Sequence, residues 1–215
     1  HYTYEPFIDK PIGYPTFLAL IFFITGFAPV AAQIIQALIV SLGVIFIYRI
    51  VLLLGLPDKF AFIASLLAAL WPNHARFEVT ILPEAVMPLL LITSCYFILK
   101  ALKAALEKAA KNDVIKNSLF AGLFLGLGVL SRPDVVFLPI FLLVLFSFVY
   151  GFRNSYKIPL YLSLVFYGII GLHTIRNYAL THGIIPLGYS NGTVLWQGIS
   201  QFGDTLGTVY SDYRI

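Results

Sequence analysis

Charge is scarce in this sequence. Asp, Glu, Lys and Arg make up 11% of its 215 residues, where a soluble domain carries about 25%. With 60% hydrophobic residues and a mean hydropathy of +0.90, an ordinary water-soluble fold is excluded. Cysteine is scarcer still. Cys95 stands alone inside the apolar run Pro88–Leu99, which rules out a disulfide within the chain and any cysteine metal cluster. It reads as a small hydrophobe packed in a buried position. The formal net charge is +4, but the basic residues form no single patch, so no nucleic-acid partner is expected. The chain also lacks an initial methionine and a charged-then-apolar leader. The expectation is that His1 lies inside a longer reading frame and that the piece is inactive by itself.

What the sequence does have is long apolar runs. Gly, Pro and charged clusters divide it into Pro29–Leu54, Phe60–Trp71, Glu84–Leu99, Ser118–Ser131, Val135–Tyr150 and Ile158–Leu172. A shorter run, Tyr14–Phe27, follows a turn of Pro, Ile, Gly, Tyr and Pro and falls below the roughly 20 residues that a span needs. Lipid leaves no water for open backbone groups, so each run should be helical. The expected fold is an all-α polytopic membrane protein of about six transmembrane helices, with a short interfacial or half-inserted helix near the N-terminus. Residues 1–13 would end an outer loop, 14–27 form the short helix and 28–172 form the bundle. Residues 173–215 would make an extracytoplasmic segment.

Basic residues orient such a bundle. Cytoplasmic loops near 49–59, 100–117 and 151–157 would hold Arg49, Lys59, Lys100, Lys103, Lys108, Lys111, Lys116, Arg153 and Lys157. Those are nine of the 14 Lys and Arg residues; Lys10, Arg76, Arg132, Arg176 and Arg214 remain. Lys103, Glu107 and Lys111 recur at helical spacing, as a solvated helix beside an acidic lipid surface would require. Gly122 and Gly126 have the small-residue spacing of close helix packing in lipid.

No run carries a charge at its middle, where ion-coupled transporters keep ionisable groups. The polar residues collect at the outer rim instead: Glu5, Asp9, Lys10, His74, Arg76, Glu78, Glu84, Arg132, Asp134, His173, Arg176 and Asn177. Any one of these reads as snorkelling or capping. Together they supply carboxylates that can act as bases or bind a cation, and cations that can hold a phosphate. His74 and His173 have no second histidine at helical spacing and read as structural. Tyr14, Trp71, Tyr178 and Trp196 sit where an aromatic belt is expected. Asn191, Gly192 and Thr193 match the N-glycosylation pattern, but Asn-Gly is also an ordinary turn.

Four segments carry a resemblance. They are Asp9-Lys10-Pro11-Ile12-Gly13-Tyr14-Pro15; Thr80-Ile81-Leu82-Pro83-Glu84; Gly126 through Arg132-Pro133; and Ile175-Arg176-Asn177-Tyr178 with the later Pro186-Leu187 and Ser190-Asn191-Gly192. In order and spacing the set resembles the GT-C superfamily of polyprenyl-phosphate-dependent glycosyltransferases, in its protein O-mannosyltransferase and aminoarabinose-transferase-like branch. The resemblance implies inverting transfer from a polyprenyl-phosphate sugar donor to a lipid, protein or glycan acceptor, among membrane lipids. It assigns Glu84 and Asp9 to the acidic, catalytic side, where acceptor or a divalent metal would bind. Lys10, Arg132 and Arg176 are assigned to the phosphate, and Tyr14, Asn177 and Asn191 to the substrate pocket. The family's base, an Asp in the first outer loop, is expected upstream of His1. The alternative is a transporter or flippase for a lipid-linked or anionic substrate, with a midplane cavity around Gln33 and Gln36.

Overall fold

The computed structural model describes residues 10–72, 76, 79–151 and 156–188. Seven α-helices and one 3-10 turn make up the regular structure of these residues: α1 (Gly13–Thr25), α2 (Pro29–Leu53), α3 (Asp58–Ala69), α4 (Pro83–Leu106), α5 (Lys111–Val129), the turn Pro133–Val135, α6 (Leu138–Tyr150) and α7 (Lys157–Thr181). Pro29, Pro83 and Pro139 stand in the first turns of α2, α4 and α6, where a missing N–H costs nothing.

Four stretches are long and apolar enough to cross a membrane: Pro29–Leu53, Pro83–Leu106, Pro133–Tyr150 and Lys157–Thr181. The other two expected spans are helical but meet that standard less well. Helix α3 has 12 residues, and α5 opens with Lys111, Asp113 and Lys116. Helix ends also depart from the ends of the apolar runs. Helix α4 continues past Leu99 to Leu106, α5 starts well ahead of Ser118, and α7 continues past Leu172 to Thr181. Backbone hydrogen bonding carries a helix on through polar sequence once lipid hydropathy has ended.

Successive helices from α2 onward alternate in direction. Phe46 of α2 meets Tyr96 of α4, while Phe97 of α4 stacks on Phe120 and Phe124 of α5. The Ser94 hydroxyl donates to the Ala121 carbonyl at 2.9 Å. Helices α5 and α7 run parallel and close. A Cβ on Gly122 would strike the Leu162 backbone, and one on Gly126 would strike Ile169, so the glycine pair performs the close packing its spacing suggests. The core between them is Ala121, Leu125, Val129, Leu162, Phe166 and Ile170, closed by Leu187. Leu38, Leu67, Phe148 and Leu164 are among many large apolar side chains left on the outer faces, as a lipid-facing surface requires. Cys95 is on that surface too, not packed inside as expected.

Alternation sorts the loops to two ends. One end collects the starts of α2, α4 and α6 with the ends of α3, α5 and α7. The other carries Arg49, Lys59, Lys100, Lys103, Lys108, Lys111, Lys116 and Lys157. Helix α1 packs at the first end through Tyr14, Phe17 and Leu18. Its 13 residues rise about 20 Å, short of the ~30 Å hydrocarbon core, and Phe23, Ile24 and Phe27 near its C-terminal end are exposed.

Candidate functional site

The start of α4 and the end of α5 meet at the end away from the lysines. Glu84 is in the first turn of α4, where the helix dipole favours a carboxylate. Four residues on, Pro88 sits inside the helix and offers no N–H to the Glu84 carbonyl. Arg132 follows the end of α5. Its Nη1 donates to Glu84 Oε1 at 2.9 Å, and its Nη2 lies 2.9 Å from Asp134 Oδ2. The Arg132 and Glu84 side chains are 39% and 33% exposed, so the pair borders solvent without being fully hydrated. Glu84 Oε2 is buried and accepts no hydrogen bond from the described residues.

The segment ahead of α1 is tied to this pair. The Gly13 N–H donates to the Leu130 carbonyl at 2.7 Å, two residues before Arg132. A Cβ on Gly13 would stand 2.6 Å from that carbonyl, so only glycine permits the approach. Tyr14 is buried, and its hydroxyl donates to Gln36 Oε1 at 2.8 Å, while Gln36 Nε2 donates to the Thr80 carbonyl at 2.8 Å. This chain of bonds joins α1 and α2 to the approach to α4. Burial, and then the nearby Glu84 charge, push the Tyr14 phenol up to about 12. Lys10, three residues before Gly13, is exposed.

A second polar group forms at the end of α7. Asn177 is fully buried; its Nδ2 donates to the Ile185 carbonyl at 2.9 Å and approaches His173 Nε2 at 3.3 Å. Arg176 Nη1 donates to Asn177 Oδ1 at 2.8 Å. These bonds fold the chain after α7 back onto the core, where Ile185 and Leu187 are buried.

The structure thus brings Glu84, Arg132 and Tyr14 together, with Lys10 on the same strap. It places Arg176 and Asn177 at the same end in a separate network. Asp134, counted in the sequence only among the polar residues of the rim, joins the site through Arg132, and the Tyr14–Gln36–Thr80 bonds join it without any sign in the sequence; the Arg-Pro-Asp adjacency was the available signal for the Arg132–Asp134 pair. Tyr14 is packed inside and does not belong to an aromatic belt, whereas Trp71 and Tyr178 are exposed. Gln36 is fully buried, so it lines no water-filled cavity of the kind a transporter would need. Among the described residues, no three His, Cys, Asp or Glu side chains gather to hold a metal ion. Glu5, Asp9, His74, Glu78, Arg153, Asn191 with its sequon, and Trp196 lie outside the described residues.

The helical bundle with a carboxylate–guanidinium pair at one end fits a membrane glycosyltransferase of GT-C type, and the family match carries that class. Residues 9–174 match the model of the dolichyl-phosphate-mannose-protein mannosyltransferase family; the chain belongs to that family. No curated protein and no solved structure matches it.

Proposed function

We propose that the protein transfers a sugar from a polyprenyl-phosphate donor to a hydroxyl acceptor, with inversion, at the extracytoplasmic face of a six-span bundle. The observation carrying this reading is the cluster of Glu84, Arg132, Asp134 and Tyr14, with exposed Lys10, at the end opposite the lysines. The charge bias favours that end as the outer one. In the reaction the acceptor oxygen bonds to the anomeric carbon as the bond from that carbon to the phosphate oxygen breaks. The acceptor proton passes to a carboxylate, and the lipid phosphate leaves with the electron pair.

Both terminal nitrogens of Arg132 already meet carboxylates, so its role is to fix Glu84 and Asp134 in place. Lys10 pairs with none of the described carboxylates, which favours it for the donor phosphate as a compact point charge. The second oxygen of Glu84, buried and without a described partner, would accept a hydrogen bond from the incoming hydroxyl. Asp9 would extend that side, with Arg176 and Asn191 toward the rest of the substrate.

The test uses membranes containing the protein and a radiolabelled polyprenyl-phosphate sugar. Lys10→Ala and Glu84→Gln should each cut transfer strongly while leaving insertion intact. Full turnover in both variants would overturn the assignment.

A further inference from the structure

We propose that the lysine-rich end carries a binding site for an anionic membrane phospholipid. A groove of about 520 Å³ lies between α5 and α7, with Ile115, Leu119 and Leu123 from one and Val165 from the other. The three α5 residues recur every four positions, so they form one continuous apolar stripe. Asn112 and Lys116 line the same groove toward the lysine-rich end. There it adjoins, at Ile115, a second cavity of about 220 Å³ lined by Lys111, Lys157 and Tyr161.

Length and charge together select the occupant. From Asn112 to Leu123 the helix rises about 16 Å, close to the ~15 Å that one leaflet contributes to the hydrocarbon core. An acyl chain laid on the stripe would therefore carry its phosphate to the level of Lys111, Lys116 and Lys157. Among the described residues none of these lysines has a carboxylate partner, although Lys103 nearby has Glu107. The acidic residue nearest them in sequence, Asp113, is exposed. A neutral lipid would leave three cations unanswered. Free phosphate would leave the apolar stripe unfilled. An anionic glycerophospholipid satisfies both.

Native mass spectrometry of the whole protein, purified in detergent and titrated with lipid, tests the site. Phosphatidylglycerol should be retained in preference to phosphatidylcholine with the same chains. Replacing Lys111, Lys116 and Lys157 by Gln should erase the preference, by about fivefold for each lysine removed. A control with Lys59→Gln and Lys100→Gln should keep it. Leu123→Trp, which fills the groove and leaves every charge in place, should weaken retention of both lipids, and glycerol phosphate should displace neither. Equal retention of the two lipids by the unaltered protein would overturn the proposal, as would equal loss in the control or displacement by glycerol phosphate. Should the triple variant fail to insert, Leu123→Trp decides alone: undiminished retention there rejects the groove.

Discussion

At the end where α4 opens and α5 closes, Glu84, Arg132 and Asp134 form a continuous run of ion pairs. Buried Tyr14 and Gln36 hold the backbone around them. At the opposite end the charges are more numerous but looser. Lys111, Lys116 and Lys157 meet no described carboxylate, and the Lys103–Glu107 contact is 3.9 Å long between exposed side chains. The contrast separates two uses of charge in a membrane protein. Fixed charges at a partly dry rim keep their geometry when substrate arrives, which is what electrostatic catalysis requires. Exposed, separately mobile charges are screened; they suit orientation and lipid attraction.

The largest predicted effect breaks the fixed end. Arg132→Ala frees both carboxylates at once, and transfer should fall by roughly 10²-fold, the scale of losing one preorganised electrostatic group. Radiolabelled transfer in membranes measures it, with Lys103→Ala as the comparison at the loose end, where less than about a twofold change is expected because the pair is exposed. Equal losses at both ends would erase the distinction.

Next in size is the strap. Gly13→Ala puts a Cβ against the Leu130 carbonyl and breaks the 2.7 Å bond, which should cost about 1–3 kcal/mol as overpacking. Gly43→Ala, whose nearest neighbour is 3.7 Å away, should be tolerated. Thermal unfolding in detergent distinguishes the two. Transfer activity should follow stability for Gly13→Ala, since the same bond ties the strap that carries Lys10 to the end of α5.

Tyr14 sharpens the comparison through pH. Its pKa in the folded protein is raised from 10.0 to about 12, so the folded state holds this proton more tightly than the unfolded chain does. The resulting stability is complete below about pH 10 and is lost as pH rises toward about 12. Tyr14→Phe should therefore show a shallower alkaline loss of thermal midpoint than the unaltered protein over that interval. Parallel alkaline curves would mean that Tyr14 is not held apart from water beside Glu84.

How much of this was legible in sequence differs between the two ends as well. The apolar runs identified the helices of the bundle, because lipid imposes one backbone solution on them. They missed helix ends where α4, α5 and α7 cross polar sequence. At the rim, Glu84 and Arg132 stood out as charges at run boundaries. Their bond spans 48 positions, and no local pattern encodes such a pairing. Asp134 was visible two residues from Arg132 but had no sign of sharing its guanidinium. Asn177 was assigned to the substrate pocket by the family resemblance alone; its full burial follows from the chain turning back at Ile185. Gly13 read as part of a motif, and its physical reason, close approach to Leu130, depends on a tertiary contact. The groove between α5 and α7 at the other end had no signature in the sequence, whereas the lysines beside it could be read there because they need no partner.

The smallest prediction tests that last point. Lys103 and Glu107 are four residues apart on one helix, in the weaker Lys-before-Glu order, and their side chains are 48% and 61% exposed. Such a pair contributes only about 0.3–0.5 kcal/mol. Glu107→Gln should therefore shift the unfolding midpoint barely at all in low salt and not measurably at high salt, where screening removes the attraction. The Glu84→Gln variant should respond differently. Its carboxylate is less exposed and has one buried oxygen, so its loss should destabilise the rim at either salt concentration. If salt abolishes the Glu84 effect as fully as that of Glu107, the rim is as solvated as the loose end. The site would then need substrate binding, rather than its own packing, to become dry.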